Sequence, residues 1–169
     1  MRSLIGLAER WVVGIGVLAA MLLVPLVMAT TWEVFARYAF GAPTIWAYEV
    51  GYTLTGAHFL LALAYTLRQG EHIRIDVFTA AMPPAMRRTI DALAYAAVVP
   101  ILVWITWTLG AYALAGYSRG ETSGQSALNL PVWPFRAVFT LAFATFALQV
   151  LCEFAKSLMP PLGAAGRPR

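Results

Sequence analysis

From Trp11 to Trp32 the chain runs for 22 residues without a charged side chain. As a helix that stretch measures about 33 Å, enough to cross the ~30 Å hydrocarbon layer of a bilayer. It exceeds the ~7–15 residue apolar core of a signal peptide. No small-residue cleavage pattern closes it before Glu33. A retained first span is expected, from Trp11 to Phe35 and running on to Tyr38. Three further runs of the same kind follow. The second is about 46–67, with Glu49 near its start and His58 inside. The third is about 91–117, uncharged after Asp91 until Arg119. The fourth is about 132–151. Its uncharged stretch after Arg136 is 16 residues, about 24 Å of helix. Arg136 is therefore expected to reach back toward the interface.

Backbone polar groups in lipid must be paired within their own segment, so all four spans are predicted to be helices. The expected fold is an all-α integral membrane protein: one four-helix domain over 1–158, with 159–169 a disordered tail. Composition agrees. The chain is 60% hydrophobic and 12% charged, where soluble domains carry about 25% charge. The mean hydropathy is +0.70. Pro25 and Pro100 fall inside spans 1 and 3, and each is expected to kink its helix.

The net charge of +4 does not describe a nucleic-acid binder, because the arginines are dispersed and form no basic stripe. They sort instead by side of the membrane. Arg2, Arg10, Arg68, Arg74, Arg87, Arg88, Lys156, Arg167 and Arg169 make nine on one side; Arg37, Arg119 and Arg136 make three on the other. The side richer in basic residues faces the cytoplasm. That places both termini and the 68–90 segment inside, and the 39–45 and 116–131 loops outside. Trp11, Trp32, Trp46 and Trp133 stand near span ends, as interfacial anchors do. In the 68–90 segment Asp76 can cap a short helix, "DVFTAAM", that Pro83 and Pro84 stop. This helix is expected to lie along the interface.

Polar residues in such a chain are few enough to weigh singly. A single cysteine, Cys152, excludes an internal disulfide and a cysteine-based zinc site. His58 and His72 are 14 residues apart, about 21 Å along a continuous helix, so they cannot grip one haem. No cofactor and no catalytic group is expected. His72, Arg74 and Asp76 crowd into "QGEHIRIDVF". His72 and Asp76 share a face as a helix, and all three share a side as extended chain. The segment reads as a polar turn that fixes the exit of span 2, or as a docking point for a partner chain. Glu33 and Arg37 are four apart at the end of span 1, and Glu49 opens span 2 across a short turn. A mutually satisfied Glu33–Arg37–Glu49 cluster is expected to fix this hairpin, or one of the three faces a partner. His58, among Gly51, Gly56 and Ala57, suits an interhelical hydrogen bond, or a role in transport. Arg119 and Glu121 open a polar loop that is either solvated or touches a soluble partner outside.

Four segments taken in order resemble a known family: "WEVFARYAF" at 32–40, "PTIWAYEV" at 43–50, "RQGEHIRIDVF" at 68–78 and "SALNLPVWPF" at 126–135. The most specific piece is Gly70, His72, Ile73 and Asp76. Together the segments are similar to the DctQ-like small membrane subunit of tripartite ATP-independent periplasmic (TRAP) transporters. The resemblance implies a bacterial inner-membrane scaffold for a large, sodium-driven membrane subunit that carries an organic acid. It also implies transient contact with a periplasmic substrate-binding protein, and no substrate site on this chain. Two other classes compete with it. A free-standing small carrier would move solute alone, and a redox-enzyme membrane anchor would bind haem or quinone.

Overall fold

The computed structural model describes residues 2–70 and 82–158, and among these the elements are all helices. They are α1 (Arg2–Met21), α2 (Leu23–Phe40), α3 (Ala47–Gln69), α4 (Pro84–Arg119) and α5 (Trp133–Leu158). α1 and α2 together form one span, Ser3–Phe40, so four helices are long and apolar enough to cross a membrane. The hairpin turn at 41–46 and the loop at 120–132 share one end of the bundle, called here the loop end. The opposite end carries the starts of α1 and α4 and the finish of α3 and α5. Most of the short interfacial helix expected at 76–82, and the tail at 159–169, lie outside the described residues.

The helices outlast the apolar runs that announced them. α4 begins at Pro84, seven residues before Asp91, because proline suits the first turn and "AMRRTI" has no breaker. α5 continues to Leu158. Charged residues are thus carried on helix beyond the apolar stretch. The two prolines behave differently. Near Pro25 the helix breaks at Leu22, whose N–H is shared between Leu18 O at 3.1 Å and Ala19 O at 3.2 Å. Pro25 has no N–H for the Met21 carbonyl, and its ring crowds that group. Pro100, by contrast, sits within α4 without interrupting the helix. Two helices facing the loop end stop on glycines in the left-handed region, Gly41 (φ 63°) and Gly120 (φ 62°). The amide of Gly41 closes back on Ala36 O, the capping geometry that glycine permits at least cost.

α3 and α5 form the middle of the bundle. α1 and α2 pack on α3, while α4 packs chiefly on α5. The core cluster joins Ile15 and Ala19 of α1, Leu61 of α3 and Ala142 of α5. Many of the buried apolar residues are alanines, including Ala19, Ala57, Ala64 and Ala142. Small side chains let membrane helices approach closely, which substitutes for the hydrophobic drive that lipid does not supply. Gly16 meets an aromatic ring closely: a Cβ there would lie 2.7 Å from Tyr65 Cγ of α3. Gly56 does the same for Phe135 and Phe139 of α5. α4 keeps a broad exposed face, with Trp104 and Trp107 69% and 78% exposed.

Candidate functional site

Polar side chains gather in three groups, two of them at the loop end. The first ties α2 to the hairpin turn. Glu33 accepts from Arg37 Nε at 3.0 Å and from Arg37 Nη2 through Oε1. Its Oε2 accepts from the Thr44 amide at 2.8 Å and from the Thr44 hydroxyl. Trp46, half-exposed, is the N-cap residue of α3 and makes no side-chain cap bond.

The second group is built on Glu49, in the first turn of α3 and fully buried. Its carboxylate does not meet Arg37. It accepts instead from the hydroxyls of Ser123 and Ser126, in the loop between α4 and α5. The expected three-residue cluster is therefore two separate sites. Glu33 and Arg37 pair along one exposed helix edge, while α3 turns its third residue inward, toward the other loop. The helix N-terminus beside Glu49 carries partial positive charge that favours a carboxylate. Glu49 has no ion-pair partner among the described residues.

Those serines are held in turn. Ser123 N donates to Leu130 O at 2.9 Å, and the Leu128 amide donates to Ser126 Oγ at 3.1 Å. An isolated antiparallel bridge pairs Thr122 with Pro131, and Val132 N donates to Glu121 O at 3.1 Å. The loop is a closed, internally bonded unit seated on α3. Its start is fixed by a further pair: Arg136 Nη1 reaches Glu121 Oε2 at 2.6 Å and Tyr112 O at 3.3 Å. The same guanidinium lies 3.9 Å from the centre of the Tyr112 ring. Arg119, 71% exposed, stands 3.5 Å from the other Glu121 oxygen.

The hydrogen bond from Arg136 holds the Glu121 carboxyl below the usual carboxylate range, with a smaller contribution from Arg119. A carboxyl depressed in the folded state stabilises the fold above its ordinary pKa of 4.5. That stabilisation is lost as pH falls through the lower, folded value. The unfolding midpoint should therefore drop on the acid side of the carboxylate range. Glu121→Gln should flatten that part of the profile while leaving its neutral shape. An identical acid limb in the variant would contradict the pairing.

A third group lies at the opposite end and joins three helices. Lys156 Nζ contacts Glu9 Oε1 at 2.5 Å and Glu153 Oε1 at 2.8 Å. Arg68 stands 3.9 Å from the other Glu9 oxygen. Buried Gln149 donates to Glu153 at 2.8 Å. Between the ends, His58 Nδ1 lies 2.8 Å from Ala19 O, linking α3 to α1 beside the break at Leu22. A carbonyl can only accept, so Nδ1 carries the proton. His58→Ala should cost about 1 kcal/mol, the scale of interhelical hydrogen bonds in membranes. Unfolding that is unchanged in the variant would show the bond to be idle.

His72, Arg74 and Asp76 lie outside the described residues. Among the described residues no group of three or more His, Cys, Asp or Glu could hold a metal. The structure adds Thr44, Ser126, Glu9 and Gln149, which the sequence did not single out, and gives Ser123, Arg68 and Lys156, read there only as loop or sidedness residues, specific bonding partners. The available signal was the pair of serines three apart in "SGQS", opposite an acid that lipid would not tolerate alone.

The model of the DctQ component of tripartite ATP-independent periplasmic transporters matches residues 26–159. The chain belongs to this family. The match starts just past the helix break and runs through the last three spans, so the Glu33, Glu49 and Glu121 sites all lie on the shared DctQ portion. As a DctQ component the protein is a multi-pass membrane subunit of a transporter. DctQ components work beside a large subunit and a periplasmic binding protein. No curated protein matches the chain.

Proposed function

We propose that this protein is the non-catalytic small subunit of a sodium-driven TRAP transporter for an organic acid. It scaffolds the large transport subunit in the bacterial inner membrane. Both termini are cytoplasmic, following the distribution of Arg and Lys. The loop end then faces the periplasm, where Arg37, Trp46, Arg119 and Glu121 are placed to meet the large subunit or a docking binding protein. His72, Arg74 and Asp76 would brace the cytoplasmic side.

The observation that carries this reading is the DctQ match over 26–159. The polar chemistry is consistent with it. At the loop end Glu33, Glu49 and Glu121 are spent on fixing turns and loops of this chain. That is the economy of a rigid support rather than of a site that takes up and releases solute. The test is co-purification. The chain, tagged at its C-terminus, is extracted from native membranes in mild detergent and its companions are identified by mass spectrometry. A larger, many-spanning membrane protein in one-to-one ratio is expected. Recovery of the chain alone, or only with copies of itself, would overturn the reading.

A further inference from the structure

A groove of about 640 Å³ opens between α4 and α5 at the end opposite the loop end. Its lining is divided along its length. Arg88, Thr89 and Ser157 stand at the mouth, with exposed Leu158 beside them; Ala92, Leu93 and Ala96 continue one wall inward, facing Phe154. The Arg88 side chain is anchored, because its Nε donates to Ser157 O at 2.5 Å. From Arg88 to Ala96 is about 12 Å along the helix. That is most of one leaflet's hydrocarbon depth, about half of 30 Å. Among the described residues the mouth is cationic: Glu9 and Glu153 are engaged by Lys156, and Asp91 is not part of the lining.

We propose that this groove is a binding site for an anionic phospholipid. The phosphate sits on the Arg88 guanidinium at the mouth, and the upper part of an acyl chain lies along Ala92, Leu93 and Ala96. Three features select this occupant. A guanidinium matches phosphate oxygens in charge and donor geometry. The change from polar to apolar lining follows the change from headgroup to chain. The groove also stands where the helices pass from charged to uncharged sequence, which is the level of a headgroup. An uncharged partner helix would leave Arg88 without a counter-charge, which a phosphate supplies. The inference does not rest on the transporter reading, since it concerns this chain alone.

The test is native mass spectrometry of the full chain in mild detergent, titrated with phosphatidylglycerol or phosphatidylcholine. Phosphatidylglycerol should be retained about tenfold better, as expected of a charge-assisted contact. Arg88→Gln should bring the two lipids to parity. Arg10→Gln, which removes an exposed charge at the same end, should keep the preference. Ala92→Phe fills the groove but leaves Arg88 on Ser157, and it should lower phosphatidylglycerol retention. That variant decides the matter if Arg88→Gln does not fold. Equal retention of the two lipids by the unaltered chain would overturn the proposal. So would equal losses in Arg88→Gln and Arg10→Gln, full retention in Ala92→Phe, or complete displacement of the lipid by inorganic phosphate.

Discussion

Glu49→Ala should destabilise the protein by about 2–4 kcal/mol and release the loop between α4 and α5. The magnitude follows from two hydrogen bonds to a charged group, each worth about 1.5–3 kcal/mol, less the desolvation that the buried carboxylate no longer suffers. The carboxylate is fully buried and both its hydroxyl donors come from that loop. Removing it cuts the described side-chain bonds between α3 and the loop. Glu49→Gln keeps the shape and one acceptor oxygen, so it should cost about half as much. Glu49→Lys places a cation between two hydroxyls and a helix N-terminus, and it should be the worst of the three. Two measurements check the order: the unfolding midpoint in detergent, and the rate of tryptic cleavage after Arg119, which stands at the loop's start. A loop cleaved no faster in Glu49→Ala than in the unaltered chain would show that the carboxylate does not hold it.

Gly16→Val should be comparably damaging for a purely steric reason. A Cβ at position 16 would lie 2.7 Å from Tyr65 Cγ and 2.8 Å from Tyr65 Cβ. Those atoms form the base of the side chain and cannot swing aside, and the far end is tied by Gln69 Nε2 donating to the Tyr65 hydroxyl at 2.9 Å. α1 and α3 must separate instead. Overpacking of this kind costs about 1–3 kcal/mol for a single methyl, and valine adds two more carbons. Gly14 is the internal control. A Cβ there meets nothing within 4 Å, so Gly14→Ala should be neutral or gain up to about 1 kcal/mol in helix propensity. Equal effects at the two glycines would refute the Gly16–Tyr65 contact.

The contrast between these glycines marks where the sequence stops being readable. "GIG" at 14–16 offers two glycines that look alike, and only the approach of α3 distinguishes them. The four spans were legible because an uncharged run long enough to cross lipid has few other uses. The Glu33–Arg37 pair was legible because four-residue spacing is a local rule of helices. Glu49 was not. Its proximity to Arg37 in sequence suggested a partner, yet its serines come from 74 and 77 residues away. Lys156 and Glu9 likewise join the two ends of the chain. Such cross-links depend on which helix faces meet, and in a membrane protein small residues settle that without a periodic signature. The prolines show the same limit: alike in sequence, they yield one break and one continuous helix.

The central claim, that this DctQ component supports transport without performing it, is tested most directly by reconstitution. The large subunit and the binding protein are placed in liposomes under an inward sodium gradient, with and without this chain, and uptake of a radiolabelled organic acid is followed. Uptake is expected only when this chain and the large subunit are both present, and none from this chain alone. Solute movement by this chain alone, or undiminished uptake by the large subunit without it, would rule out a purely supporting role.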